Sequence, residues 1–106
     1  MDIHFHAHHA DVSDTMRTRA ERAVLRSAER LPRVVEAIIR FERDGTLRKV
    51  SVAFRAPKGH DLLGSAAGRY FGPTLTLALA RVSAQAGKEK RGLPKGRTRL
   101  IGRPVD

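Results

Sequence analysis

The strongest constraint on the fold is an amphipathic stretch from Val12 to Val34. Its apolar and small side chains recur at spacings of three and four residues, which place them on one face of an α-helix. These residues are Met16, Ala20, Ala23, Val24, Ser27 and Leu31. Ser13 is predicted to be the N-cap, because its hydroxyl can accept a hydrogen bond from an amide of the first turn. Pro32 is predicted to end the helix, since proline disfavours helical geometry in the residue before it.

A second stripe on the same helix is basic. It consists of Arg19, Arg22, Arg26 and Arg30, which follow one another at spacings of 3, 4 and 4 residues. The stripe lies beside the apolar face, so the helix can pack on a sheet while presenting guanidinium groups to a polyanion. The whole chain agrees, since its 106 residues include 21 Lys and Arg against 11 Asp and Glu, with a formal net charge of +10. This excess favours nucleic acid or an anionic membrane surface as the partner.

Composition narrows the class of protein further. The length fits one domain with a single modest core. Cysteine is absent from the sequence, which excludes disulfides and thiolate metal sites. The sequence contains no apolar run approaching the roughly 20 residues that span a bilayer. The acidic, histidine-rich amino terminus fits neither a signal peptide nor a transit peptide, so a cytoplasmic protein without membrane association is expected.

Four segments alternate between apolar and polar residues with a period of two, which predicts strands. They are residues 2–9, 35–42, 48–55 and 60–67. Asp44-Gly45 suits a tight hairpin turn between the second and third strands. Gly64 weakens the prediction of the fourth strand, because glycine in a strand interior lacks a side chain to pack.

A second helix is predicted to begin at Pro73, since proline is tolerated at the first helical position. Its apolar face consists of Leu75, Ala78, Leu79, Val82 and Ala86, and Arg81, Gln85 and Lys88 share another side. The predicted fold is α+β, with two helices on one face of a four-stranded sheet in the order β-α-β-β-β-α. This architecture is similar to that of double-stranded-RNA-binding domains. Residues 1–91 form the domain, and residues 92–106 are predicted to be a flexible basic tail.

The opening of the first helix resembles the first-helix signature of the ribosome hibernation promoting factors, the family that includes ribosome-associated inhibitor A. There a β-branched residue, Ser or Thr, an acidic residue, a small residue, an apolar residue and Arg open the helix. The matching residues are Val12, Ser13, Asp14, Thr15, Met16 and Arg17. The second helix is similar to the family's final helix at Gly68, Leu75, Leu79, Arg81, Lys88 and Lys90. It departs from the family pattern at Tyr70, Phe71, Gly72, Thr76 and Ala80.

The resemblance covers about residues 1–91 and implies a non-catalytic inhibitor of translation in stressed or stationary cells. Such proteins bind the small ribosomal subunit, touching ribosomal RNA and neighbouring ribosomal proteins, without a cofactor. A short-form protein that is monomeric off the ribosome is expected. The candidate RNA-binding residues are Arg17, Arg19, Arg22, Arg26, Arg30, Arg81, Lys88, Lys90 and Arg91. The alternative is a general structured-RNA-binding protein that does not engage the ribosome; either would recognise the RNA backbone by charge and shape.

Three other interpretations of the residues are weaker. His4, His6 and His8 share one side of the first strand, but like-facing residues lie about 6.5–7 Å apart and converge poorly on one metal ion. His60 and Asp61 are adjacent, so on a strand they would point to opposite faces. That placement argues against a catalytic dyad, and no nucleophile motif or phosphate loop accompanies it. A protein-interaction module with Leu25, Ile38 and Leu77 at its surface remains open.

Removing residues 92–106 is expected to leave the melting temperature of the domain nearly unchanged, because this segment lacks an apolar period. The truncated protein should bind RNA more weakly, since the segment contains Lys95, Arg97, Arg99 and Arg103. Thermal unfolding and RNA binding of the two forms measure both effects. A drop of many degrees in the melting temperature would mean that Leu100 and Ile101 pack on the domain.

Overall fold

The computed structural model of the protein describes residues 1–31, 33–57 and 61–90, and for residues 87–90 it describes the backbone. The elements are β1 (Asp2–His8), α1 (Asp14–Glu29), β2 (Glu36–Asp44), β3 (Leu47–Arg55), β4 (Leu62–Gly68) and α2 (Phe71–Lys90). The predicted order β-α-β-β-β-α is therefore confirmed. Pro32, His60, Arg91 and the predicted tail lie outside the described residues.

The sheet has four strands in the order β1-β2-β3-β4. The pair β1 and β2 is parallel, whereas β2–β3 and β3–β4 are antiparallel. The strands β1 and β2 are parallel because α1 connects them. The chain runs back along α1 and enters β2 at the same end of the sheet at which β1 began. Buried residues of both helices join one apolar cluster with β2, β3 and β4, which confirms the prediction that the two helices cover one face of the sheet.

The core consists of the alternating residues that face the helices. On β2 and β3 they are Ala37, Ile39, Phe41, Val50, Val52 and Phe54, all at most 1% exposed. The helices contribute Ala20, Val24, Leu75, Ala78, Leu79 and Val82, so the predicted apolar faces of both helices are confirmed. Val35 is 52% exposed because it precedes β2, and Ala7 is exposed near the end of the edge strand β1.

The start of α1 is fixed as predicted. The backbone N–H of Met16 donates a hydrogen bond of 3.1 Å to the hydroxyl of Ser13, which adopts the extended conformation of an N-cap. Asp14 places a negative charge in the first turn, where the helix dipole favours it. The helix ends at Glu29 with Arg30 as the C-cap. The arginine stripe therefore extends from Arg19 to the C-terminal end of the helix.

The second helix begins earlier than predicted, at Phe71 rather than at Pro73. The N–H of Thr74 is already paired with the carbonyl oxygen of Tyr70 at 3.2 Å. Pro73 therefore occupies the first turn, where backbone amides have no partner within the helix. A proline there breaks no hydrogen bond, so its position alone does not locate the first residue of the helix.

The hairpin turn also lies one residue later than predicted. Asp44 still pairs with Leu47 across β2 and β3, so the turn consists of Gly45 and Thr46. Gly45 has φ +64°, a conformation that glycine adopts without steric cost.

Gly64 lies at a close approach between β4 and α2. A Cβ atom at this position would lie 2.5 Å from the carbonyl oxygen of Ala78 and 2.9 Å from the amide nitrogen of Val82. Because both atoms belong to the helix backbone, α2 would have to move as a whole to make room. The glycine that weakened the strand prediction is thus the residue that allows α2 to lie on β4.

Replacing Gly64 by Ala is expected to lower the free energy of unfolding by about 3 kcal/mol, since overpacking against backbone cannot be relieved by a rotamer change. Denaturant unfolding monitored by circular dichroism measures the loss. Gly45→Ala is the control, because its Cβ meets nothing within 4 Å and should cost only about 1–2 kcal/mol from the positive φ. Equal losses in the two variants would contradict the close approach.

Candidate nucleic-acid interface

The arginine stripe of α1 is accessible over its whole length. Arg19, Arg22, Arg26 and Arg30 are all exposed. At 3.6 residues per turn they fall within a sector of about 80° and extend over about 16 Å of the helix axis. The stripe lies on the side of α1 that turns toward α2, because Arg26 and Arg30 border the space between the two helices.

Carboxylates pair elsewhere in the molecule. In the described part of the chain, every ion pair within 4 Å involves the sheet: Glu36 with His4 and Arg55, Asp44 with Lys49, and Asp61 with Arg55. No arginine of α1 takes part in these pairs, although Glu21 and Glu29 lie on the same helix. The positive charge of the stripe is therefore not neutralised by the described side chains and is available to an anionic partner.

A groove of about 300 Å³ runs between α1 and α2. Its lining residues are Ala23, Arg26, Ser27 and Arg30 from α1, and Thr76, Leu79, Ala80 and Ser83 from α2. The small residues leave room for a ligand, and the guanidinium groups of Arg26 and Arg30 are hydrogen-bond donors at its walls. The hydroxyl of Thr76 already donates to the carbonyl oxygen of Gly72 at 3.3 Å. Guanidinium groups pair well with phosphate oxygens, so the groove has the chemistry of a phosphate-binding cleft. Ser83 was not predicted to line a site, because a hydroxyl on a helix surface gives no signal until a partner helix is placed beside it.

Arg81 lies on a different side of α2 from the groove. Its Nη1 atom donates a hydrogen bond of 2.6 Å to the carbonyl oxygen of Ser65 on β4. One turn further, Gln85 Oε1 accepts a hydrogen bond of 2.7 Å from the N–H of Leu63. Both side chains thus satisfy backbone groups at the outer edge of β4, where unpaired groups would otherwise invite another strand. Arg81 therefore does not continue the α1 stripe across the groove.

The remaining basic candidates lie apart from the groove. Arg17 is exposed on the other side of α1, with its guanidinium carbon 5.5 Å from the centre of the Phe5 ring. Lys88 and Lys90 belong to the last turns of α2, where their side chains are outside the described part, as is Arg91. The structure therefore brings together Arg26 and Arg30, with Arg19 and Arg22 on the same stripe, and sets Arg17 and Arg81 elsewhere.

The other proposed surfaces do not assemble into sites. Within the described residues, no group of three or more His, Asp or Glu side chains is arranged to hold a metal ion. Leu25 and Leu77 are exposed on the helices, whereas Ile38 follows the outward alternation of β2 on the opposite face of the sheet. These three residues cannot form one continuous apolar surface. Neither helix, over its described residues, combines the length and hydrophobicity needed to cross a bilayer.

Solved structures provide the comparison. The chain superposes on a ribosomal subunit interface protein from Coxiella burnetii with a TM-score of 0.73 and 18% identity, covering 86% of this chain and 99% of that one. It superposes on the N-terminal domain of Protein Y from Thermus thermophilus with a TM-score of 0.71 and 14% identity, covering 84% and 99%. The chain has the fold of these two proteins. No protein-family model matches the sequence, and no curated protein matches it either.

Replacing Gln85 by Ala is expected to speed exchange of the Leu63 amide hydrogen by about tenfold, because a hydrogen bond of this kind contributes about 0.5–1.5 kcal/mol. Gln85→Glu is the matched control, since it keeps an acceptor oxygen at the same position. Hydrogen exchange followed by NMR distinguishes the two variants. Equal protection of Leu63 in both would show that the side chain does not hold the edge of β4.

Proposed function

We propose that this protein binds the small ribosomal subunit through the groove between α1 and α2 and thereby inhibits translation. The observation that carries the proposal is the row of α1 arginines, which borders a groove and has no carboxylate partner among the described residues. Structured RNA offers regularly spaced phosphates, which such a row can contact without reading bases. The ribosome is the proposed target because a ribosomal subunit interface protein has the same fold.

The proposed action is steric and electrostatic rather than catalytic. A basic protein of this size that occupies a functional cleft of the subunit excludes messenger or transfer RNA from it. This action needs no cofactor, and it suits a cytoplasmic protein that is monomeric off the ribosome. It also suits a hibernation factor, since release requires only competition for the same phosphates or a change in ionic conditions.

A general structured-RNA-binding protein is the second candidate. The same groove supports it, because arginines that contact the backbone do not distinguish ribosomal RNA from other folded RNA. The two candidates differ in one measurable respect. A ribosomal factor prefers small subunits over an equal mass of unrelated folded RNA and blocks translation in vitro, whereas a general binder shows neither preference nor inhibition.

Reversing the charge of the groove, with Arg26→Glu and Arg30→Glu together, is expected to abolish co-sedimentation with small subunits. The affinity should fall by at least about 100-fold at moderate salt, because phosphate contacts become repulsive. The stability should change by no more than about 1 kcal/mol, since exposed substitutions usually cost within about 0.5 kcal/mol each. Sucrose-gradient sedimentation and an in vitro translation assay measure the effect.

The matched control makes the same change of charge outside the groove. Arg40 follows the outward alternation of β2, Arg69 comes directly after the last residue of β4, and both are exposed. Arg40→Glu with Arg69→Glu alters the net charge by the same amount but leaves the groove intact. Equal loss of subunit binding in the two double variants would show that net charge, rather than the groove, determines association.

A further inference from the structure

A second basic cleft lies at the hairpin end of the sheet, where both helices begin. It has a volume of about 560 Å³ and is lined by His9, Ala10, Asp11, Arg43, Arg48 and Phe71. None of these residues lines the groove between the helices. Phe71 and Ser83 are 12 positions apart on α2, so the cleft and the far end of the groove are separated by about 18 Å along the helix.

Two arginines meet in this cleft because of strand register. Arg43 and Arg48 are direct partners across β2 and β3. Arg43 continues the core-facing alternation that ends at Phe41, and Arg48 continues the one that ends at Val50. Each row of buried apolar residues therefore terminates in a guanidinium group on the helix side of the sheet.

This pairing is unfavourable unless something compensates it. Like charges directly opposite one another on neighbouring strands destabilise a sheet. Among residues 1–31, 33–57 and 61–90, no carboxylate lies within 4 Å of either guanidinium group. Asp11 also lines the cleft, but a single carboxylate leaves the two arginines in excess. An anion bound between them would remove the repulsion.

Phe71 holds one of the two arginines in place. The guanidinium carbon of Arg48 lies 5.8 Å from the centre of the Phe71 ring. The ring itself is fixed, since it packs edge-on against Phe41 at a centroid distance of 5.3 Å. A guanidinium group over an aromatic face is stabilised there while its N–H groups remain free to donate. The cleft therefore presents Arg48 in a preorganised position, and Arg43 completes the pair.

We propose that this cleft is a second phosphate-binding site, which takes a phosphate group through Arg43 and Arg48. The phosphate belongs either to a polynucleotide backbone or to a free anion, and the two sources share the same recognition chemistry. The inference rests on the charge and geometry of the cleft alone, so it stands whether or not the partner of the groove is the ribosome. With this cleft and the groove, the protein has two proposed phosphate-binding sites on the helical side of the sheet.

The test uses Arg43→Gln with Arg48→Gln, and Arg40→Gln with Arg69→Gln as the control of equal charge. The first probe is a fluorescein-labelled hairpin RNA, titrated by anisotropy between 50 and 200 mM salt. Loss of the one phosphate contact that the two arginines share should reduce the slope of log affinity against log salt by about 1 and weaken binding by about tenfold. The slope change in the control should be less than about half of the change in the Arg43→Gln, Arg48→Gln variant.

The second probe is inorganic phosphate, followed by two-dimensional amide NMR at constant ionic strength with chloride as the balancing anion. Amide signals of Arg43, Arg48 and Phe71 should shift in the wild type and not in the Arg43→Gln, Arg48→Gln variant. A selective effect on the RNA slope assigns a polynucleotide as the source. Phosphate-dependent shifts with an unchanged RNA slope assign a free anion. No selective effect with either probe overturns the proposal.

Folding of the variant is controlled separately. The melting temperature should stay the same or rise, because the like-charge pair is removed. Arg43→Gln alone is the second variant, since Arg48 then keeps its position over Phe71, and it should show about half the change in salt slope. Failure of small subunits to co-sediment with the wild type would refute the ribosomal function and leave both probes of the cleft informative.

Discussion

The architecture depends on the close contact between β4 and α2 at Gly64. Because no Cβ stands between the strand and the backbone of Ala78 and Val82, the helix lies directly on the sheet. That position buries Leu75, Ala78 and Val82 against β3 and β4. It also fixes where the rest of α2 points. One side, with Arg81 and Gln85, meets the outer edge of β4, and the opposite side meets α1 and closes the groove. Both the edge protection and the groove follow from one contact.

Ion pairs and unpaired arginines are distributed unequally over the molecule. The ion pairs of the described residues join Glu36, Asp44 and Asp61 to His4, Lys49 and Arg55, on the strands or directly beside them. The helical side instead collects guanidinium groups with no such partners among the described residues, on α1 and at the end of the core rows of β2 and β3. Part of the net charge of +10 thus lies uncompensated on the helical layer. Such an arrangement steers a polyanion toward the helices, and the effect weakens as salt rises.

Much of the fold could be predicted from the sequence, because it rests on periodicity. The buried faces of α1 and α2, the N-cap at Ser13 and the four strands follow from local spacing and capping chemistry. The start of α2 could not be located from Pro73, since proline fits any position in the first turn. The parallel pairing of β1 with β2 also was not predicted, because alternation identifies a strand but not its neighbour.

The candidate site was harder to predict for a related reason. A stripe of arginines on one helix is visible in the sequence, but its partner surface depends on how two helices rotate against each other. Arg81 is a basic residue on a helix, like the arginines of α1, but it bonds to Ser65. The packing of α2 on β4 at Gly64 turns its side chain away from the groove. The pair Arg43 and Arg48 did leave a signal. Both occupy core-facing positions of the alternation, and the hairpin register places them opposite one another. Two charged residues at positions where apolar residues are expected indicate a binding site.

The two basic clefts constrain the kind of partner more than either does alone. A mononucleotide or a free phosphate can occupy one cleft, but it cannot reach from Phe71 to Ser83 at the far end of the groove, about 18 Å along α2. A folded polynucleotide can reach both, and contacts at two points of one rigid surface raise affinity through effective concentration without any base-specific contact. Shape selection then arises from spacing, because only an RNA that presents phosphates at both clefts gains the second contact. Backbone contacts at two such clefts can in this way favour one folded RNA over others, since the position of α2 is fixed by its packing on β4.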